Sequence, residues 1–479
     1  MASETERPKA TSPIDLGDSD VARRLERRRA RREQRNGRTQ QGEGGEAKVA
    51  TPRPQREPRE PRRTPRADSS FEGEQAPIVR RPSSGGPTPA RISVRFDKEL
   101  INADAAKVVQ RLTRQGHEAY LVGGCVRDLL VGQRPKDFDV ATSARPEEVR
   151  SLFRNSRVIG RRFRLVHVLF GGNHIVETAT FRKNPLPATD GDADDLLIRS
   201  DNVFGEAHED ALRRDFTINA LFYDLEDGSV LDWVGGMAHI DSRTVHTIGD
   251  PLVRFQEDPV RILRAIKFAA RIDFGMTPEV YEAIVQCRGA LAMAARPRLS
   301  EEVLRLMRGG ASHRSMWLCW ETGVLDMLLP ELSSYLADAA DDDSVWRLLS
   351  EVDRRTKADE KPLDDVLLWA ALLLEPLSEA CAFGSDPARG ANDFLEPVVE
   401  RLNLPRRIAD SVRRIVALLP RIEQGRGDRY RKNPLYALTE ELADLRRAAR
   451  VEKPLPLTAV TEGRAKRKRR KKPGKIPKD

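Results

Sequence analysis

Asp137 and Asp139 stand two residues apart in the run Lys136-Asp137-Phe138-Asp139-Val140. Alternate residues of a strand point to one face, so in a β-like run both carboxylates project together. Adjacent anions repel unless a cation sits between them. Nucleotidyl transfer provides one, because metal ions roughly 4 Å apart bridge the attacking hydroxyl, the α-phosphate and the leaving pyrophosphate. An exposed Asp pair on an edge strand has the same spelling, and the pair alone does not decide between the two. A third carboxylate, Glu177, lies in Ile175 to Phe181 (IVETATF), which a Gly171-Gly172-Asn173 turn separates from Leu165 to Phe170 (LVHVLF). That is a hairpin signal and puts Glu177 on a strand.

Three further segments carry groups suited to a nucleotide. Ala119-Tyr120-Leu121-Val122 reads as a strand, followed by Gly123-Gly124 and the helical Cys125 to Val131. A glycine turn ahead of a helix start lets backbone N–H groups approach a phosphate, although two glycines after a strand also make an ordinary tight turn. In Arg213-Arg214-Asp215-Phe216-Thr217-Ile218-Asn219-Ala220-Leu221 the apolar spacing predicts an amphipathic helix with Asp215 and Asn219 on one face. Arginines grip triphosphate oxygens, while Asp and Asn suit sugar hydroxyls. Glu257-Asp258-Pro259-Val260-Arg261 predicts a helix start with Pro259 in its first turn. Asp258 and Arg261 there make either a local ion pair or a pair that reads a nucleobase edge.

These residues need a sheet to carry them and helices to close over it. From about Ala90 to Gly236 short β-rich runs alternate with helical segments, which predicts an α/β or α+β domain. From Asp258 onward Val260 to Ala270, Ser300 to Met307 and Val366 to Leu374 have helical spacing, with Ser300 as an N-cap and Gly309-Gly310 as a stop. Met1 to about Gly86 is rich in Arg, Glu, Pro, Gly and Ser and is expected to be disordered, with Asp20 to Gln34 a solvated basic arm. After Gly425 the chain turns basic again and carries RAKRKRRKK at Arg464 to Lys472, a flexible cationic tail. Thr189 to Asp195 (TDGDADD) reads as a solvated acidic loop, since it lacks the Gly and Glu placement of a calcium loop.

The 83 Lys and Arg against 74 Asp and Glu give a net charge of +9, which suits a polyanionic partner. The four cysteines are isolated, so neither a disulfide framework nor a zinc module is expected and a reducing cytoplasm fits. No apolar stretch approaches the ~20 residues that span a bilayer, and no membrane association is expected.

In order and spacing, LVGGCVRDLL at Leu121 to Leu130, KDFDVAT at Lys136 to Thr142, RRDFTINAL at Arg213 to Leu221, DWVGGMAHI at Asp232 to Ile240 and EDPVRILRAIKFAAR at Glu257 to Arg271 resemble the class II tRNA nucleotidyltransferase and poly(A) polymerase family, within the polymerase-β-like nucleotidyltransferase superfamily. The resemblance covers Glu118 to Gly309 closely and the later helices more loosely. It implies an α+β fold: a five-stranded catalytic head over 90–240, a helical neck over 241–310 and a helical body over 311–425, between basic arms at 1–89 and 426–479.

The resemblance also assigns roles. Asp137, Asp139 and Glu177 would hold Mg²⁺. Asp215, with Arg213, Arg214 and Asn219, would handle ribose and triphosphate and support catalysis. Gly123, Gly124, Arg127 and Asp128 match the phosphate-facing turn, and Glu257, Asp258, Arg261 and Arg264 the helix that reads the incoming base. The family holds two activities, tRNA CCA addition and RNA polyadenylation. Gly160-Arg161-Arg162-Phe163-Arg164-Leu165-Val166-His167 is similar to the polyadenylating branch, and a cationic tail suits an enzyme that grips arbitrary single strands. The implied reaction adds AMP from ATP to RNA 3′ ends in mRNA processing and turnover, with RNA-decay proteins as partners of the basic arms.

Overall fold

The computed structural model describes residues 86–160, 164–183, 203–339, 342–382 and 386–451. The expected N-terminal arm up to residue 85, the acidic loop at Thr189 to Asp195, Arg161 to Phe163 and the terminal basic run lie outside the described residues.

Folding begins with β1 (Ala90–Ser93) and α1 (Ala103–Arg114), which Asn102 caps by accepting from the Asp104 and Ala105 N–H groups. Then come β2 (Ala119–Val122), α2 (Gly124–Leu130), β3 (Asp139–Thr142), α3 (Pro146–Leu152), β4 (Ser156–Ile159), β5 (Leu165–Leu169) and β6 (Ile175–Thr180). After the undescribed stretch, α4 (Ala207–Leu212), β7 (Phe222–Asp224), β8 (Ser229–Asp232) and α5 (Gly236–Asp241) complete the sheet-bearing part. The expected hairpin is present: β5 and β6 pair antiparallel up to Leu169 opposite Ile175, around a short 3₁₀ turn at Gly171–Asn173.

The sheet has eight strands in the order β1-β8-β7-β2-β3-β6-β5-β4, against the five implied by the resemblance. β3 and β6 run parallel and the other pairs antiparallel. Side chains alternate along each strand, as the period of two requires. Leu121, Val140, Tyr223 and Val230 enter the main core, while Tyr120, Val122, Ala141, Phe222 and Leu231 enter a smaller core on the other face with Ala207 and Ala211 of α4.

Past α5 the chain is helical apart from the small parallel pair β9 (Thr244–Val245) and β10 (Gly275–Met276). α6 (Pro251–Glu257), α7 (Val260–Arg271), α8 (Pro278–Cys287) and α9 (Arg296–Arg308) come first. α10 (Ser312–Glu321), α11 (Val324–Leu328), α12 (Pro330–Asp338), α13 (Ser344–Ala358), α14 (Asp365–Ala382), α15 (Pro387–Leu402), α16 (Arg406–Glu423) and α17 (Tyr436–Ala448) follow. Ser300 does not cap a helix: α9 starts four residues earlier, with Pro297 in its first turn, and ends at Gly309-Gly310 as expected. The helical part also runs beyond 425. α17 buries Leu442, Ala443 and Leu445, and its Arg446 pairs with Glu423 at 2.6 Å, so residues 436–448 belong to the packed body and not to a flexible tail. Among the described residues no helix is long and apolar enough to cross a membrane.

Candidate active site

β2 runs straight into the Gly123-Gly124 turn, and α2 starts at once behind it. Gly123 has φ 76° and ψ −128°, a conformation for which an L side chain is strained, and an added Cβ would stand 3.1 Å from Nη1 of Arg214. The turn thus places bare backbone beside a guanidinium. Behind it, Arg127 and Asp128 are almost fully buried. Arg127 donates from Nε and Nη2 to Asp128 Oδ1 at 2.9 and 2.5 Å, and from Nη1 to Asn219 Oδ1 at 2.6 Å. Its guanidinium lies over the Phe268 ring of α7, 5.2 Å from the centroid. Asp128 does not face the open space, so it serves as the counter-ion that fixes Arg127.

The segment 213–221 is not the amphipathic helix its spacing predicts. α4 stops at Leu212, Phe216 bridges to Thr247, and only Thr217–Asn219 form a 3₁₀ turn. Phe216 and Ile218 are both fully buried, and the Thr217 N–H donates to the His246 carbonyl at 3.0 Å. Core packing and a bridge to a distant segment outweigh helical propensity here. The break separates the polar groups. Asn219 turns to Arg127, whereas Asp215 receives Nε and Nη2 of Arg264 at 2.7 and 2.5 Å. Arg214 is held by Asp210 Oδ2 at 2.9 and 3.2 Å and by the Asn219 carbonyl at 3.1 Å. Arg254 of α6 donates to the Arg214 carbonyl at 2.9 Å and ties α6 to the end of α4.

Glu257 closes α6 instead of opening the next helix, Asp258 is extended, and Pro259 precedes α7. The local ion pair between Asp258 and Arg261, one of the two readings of that spacing, does not form. Arg261 pairs with Glu257 at 2.8 Å, and Asp258 receives Arg298 of α9 in a two-pronged contact at 2.8 and 3.2 Å.

The groups meet around a cavity of about 560 Å³, within the range of small-molecule sites. Gly123, Gly124, Arg127, Asp139, Arg213, Arg214, Asp215, Asn219, Asp258, Arg261 and Arg264 line it, whereas Asp137, Glu177, Asp128 and Glu257 do not. Asp210, Phe268, Arg271 and Arg298 also line it and were not singled out from sequence. Asp210, in α4, precedes Arg214 by four residues, a spacing that was readable although Arg214 lies just past the end of the helix. Phe268 and Arg271 sit inside the quoted 257–271 motif, but nothing local marks Arg298. Seven arginines face four aspartates in this lining, an excess that suits a polyphosphate.

Asp139 opens β3 at the cavity edge, and Asp137 lies just ahead of that strand. Glu177 is the register partner of Asp139 across the parallel β3–β6 pair and contacts His167 Nε2 at 3.5 Å. Crowding by protein, then the charge of Glu177, push the Asp139 carboxyl up to about 6; Arg214 opposes this and Asp137 adds to it. Mutually repelling carboxylates are what a divalent cation relieves, and an all-oxygen donor set suits Mg²⁺. Among the described residues no three His, Cys, Asp or Glu groups enclose an ion by themselves. That is compatible with Mg²⁺, which takes one or two carboxylates and completes its shell with water and substrate phosphates.

The chain matches the poly A polymerase head domain family over residues 119–246, and over 273–336 the family described as "Probable RNA and SrmB-binding site of polymerase A". It is 37% identical over 372 residues to poly(A) polymerase I of Salmonella typhimurium, covering 73% of this chain and 79% of that protein. The chain belongs to the class II tRNA nucleotidyltransferase and poly(A) polymerase family. Within this nucleotidyltransferase family it is also 32% identical over 352 residues to a CCA-adding enzyme of Geobacillus thermodenitrificans, covering 73% of this chain and 76% of that one. The solved Bacillus stearothermophilus CCA-adding enzyme in complex with CTP is similar in fold, with a TM-score of 0.52 at 28% identity over 73% of this chain and 78% of that chain.

Proposed function

We propose that the chain is a template-independent poly(A) polymerase that transfers AMP from ATP to RNA 3′ ends in mRNA processing and turnover. The observation that carries this reading is the joining, in one cavity, of the Asp139 carboxylate, a glycine turn and seven arginines. In the proposed reaction the RNA 3′ oxygen attacks the α-phosphorus of ATP, pyrophosphate leaves, and no covalent enzyme intermediate forms. Arg213, Arg214 and Arg264 bind triphosphate oxygens, with Arg127 behind the turn and the Gly123-Gly124 backbone alongside. Asp215 acts by holding Arg264, and Asn219 by holding Arg127. Asp258 and Arg261 present donors and acceptors to the base from the α6–α7 junction, with Glu257 steadying Arg261. Mg²⁺ held by one or two of the carboxylates Asp137, Asp139 and Glu177, with water and substrate phosphates completing its shell, would supply charge neutralisation at the α-phosphate and the leaving pyrophosphate. The rest of the acceleration comes from positioning and fixed charge.

This reading also proposes residues 90–240 as the catalytic head, 241–310 as the base-reading neck and 311 onward as the body. The basic termini are proposed as arms for RNA or for RNA-decay proteins, in the cytoplasm. At an equal 73% share of this chain, identity is 37% to a poly(A) polymerase I and 32% to a CCA-adding enzyme, which favours polyadenylation. The test is incorporation from each single labelled nucleoside triphosphate onto an unstructured RNA and onto a tRNA lacking its CCA end. Long ATP-only extension of the unstructured RNA is expected. CTP addition followed by one AMP, confined to the tRNA, would overturn the reading in favour of CCA addition.

A further inference from the structure

Three of the chain's five tryptophans meet on the outside of the body. Trp317 and Trp320 project from α10 and Trp346 from α13, with ring centroids 5.3 to 6.2 Å apart. None is fully buried, and Trp317 is 42% exposed. Trp320 and Trp346 lean partly on the main core, whereas Trp317 is not among the residues packed against it, so core packing accounts for the two and leaves the exposed Trp317 ring unexplained.

Beside them a cavity of about 450 Å³ opens, walled by Trp346, His313, Arg347 and Arg354. His313 stands edge-on to Trp346 at 5.6 Å. Arg347 and Arg354 are half or more exposed, and each meets a carboxylate of the same wall: Arg347 pairs with Asp343 at 2.7 Å and Arg354 with the buried Glu351, which also takes Arg355, so three guanidinium groups share two carboxylates. On its other side α10 packs against α7, the helix that presents Arg261 and Arg264 to the active-site cavity. The match to the RNA- and SrmB-binding family over 273–336 includes α10 but stops short of Trp346, Arg347 and Arg354.

We propose that Trp317 and Trp346, flanked by Arg347 and Arg354, form a stacking platform for single-stranded RNA bases upstream of the 3′ end. The inference rests on the reading of the chain as an RNA 3′-end polymerase. Aromatic faces hold bases without regard to sequence, and guanidinium groups track the phosphates between them. A site of this kind suits a product that is one base repeated. Three partly open rings offer area for one or two bases, well below the roughly 800 Å² per partner of a stable protein interface.

The test is a titration of tryptophan emission with an oligoadenylate of about ten nucleotides, without ATP, on the full chain, Trp317→Leu and Trp346→Phe. Primer KM is measured alongside, for a trinucleotide and for an unstructured RNA of about twenty nucleotides. Quenching is expected in the wild type and largely lost in Trp317→Leu, with Trp346→Phe keeping most of the affinity because a ring remains. Stacking of one base predicts about a tenfold rise in KM for the long primer in Trp317→Leu, with the trinucleotide unchanged. Thermal melting of each variant separates loss of fold from loss of the platform. Equal effects on both primers, or unchanged affinity for the long one, would overturn the proposal. Loss of binding to a purified DEAD-box helicase with RNA affinity intact would also overturn it and make the face a protein-docking surface. If the wild type extends no RNA with any nucleotide, the functional reading fails while the emission titration still reports on the platform.

Discussion

Arg298 reaches from the first turn of α9 to Asp258, forty residues earlier in the chain, and grips its carboxylate with both terminal nitrogens at 2.8 and 3.2 Å. This fork fixes one of the two polar groups proposed to read the base, while Glu257 fixes the other, Arg261. With over half of the Arg298 side chain exposed, the pair is worth little to stability, on the order of 1 kcal/mol or less. Its expected effect is on selectivity. Arg298→Ala should leave the melting temperature within a few degrees of wild type and lower the ratio of ATP to CTP kcat/KM by about three- to tenfold. Arg298→Lys should recover part of the loss, because a point charge lacks the fork. Single-turnover incorporation with each nucleotide checks both outcomes.

Asp139 makes a prediction about pH. Its carboxyl is raised from an ordinary 3.8 to about 6 in the folded protein by crowding and by Glu177. The folded state therefore holds the proton more tightly than the unfolded chain. The stability that this group contributes is full below pH 3.8 and is lost as pH rises through about 6. Asp139→Asn should accordingly be more stable than wild type at pH 8, by on the order of 1 kcal/mol once solvent screening is allowed for, with the gap closing toward pH 4. It should also be inactive. Thermal melts across that range check the sign, and added Mg²⁺ should raise the wild-type melting temperature at pH 8 while leaving the variant unmoved.

The parts of the fold and site written in short-range patterns were legible, and those made by long-range packing were not. The β5–β6 hairpin follows from Gly171-Gly172-Asn173 between two alternating runs, and the glycine turn from a strand that ends at Val122. Residues 213–221 carry a helical spacing, yet Phe216 and Ile218 are claimed by the core and the backbone is claimed by His246, so the helix breaks. Local spacing likewise suggested Arg261 for Asp258, when the partner is in α9. The helix at 436–448 was hidden by its arginines, although Leu442 and Leu445 are spaced to pack on one face.

Gly123 should tolerate no side chain. Its positive φ costs an L residue about 1–3 kcal/mol, and a Cβ would crowd Arg214 at 3.1 Å. Arg214 is already tethered to Asp210 and to the Asn219 carbonyl, so it has little freedom to yield. Gly123→Ala is expected to reduce kcat/KM for ATP by tenfold or more, with a fall of a few degrees in melting temperature. Gly171→Ala meets nothing within 4 Å and lacks a positive φ, and serves as the control that should keep full activity.

Arg127 joins stability to the site most directly. It is 2% exposed, its counter-ion Asp128 is 4% exposed, and its third donor goes to Asn219. Removing the cation would leave Asp128 buried with only the longer contact from Arg271 at 3.5 Å. Breaking a buried pair from one side costs about 3–5 kcal/mol, because the remaining charge is stranded. Arg127→Met should therefore show a large drop in melting temperature, and the double variant Arg127→Met with Asp128→Leu should recover much of it. Activity should stay low in both, because neither restores a guanidinium behind the glycine turn. Recovery of fold without recovery of turnover separates the two duties of Arg127, whereas recovery of both would show that its only duty is to neutralise Asp128.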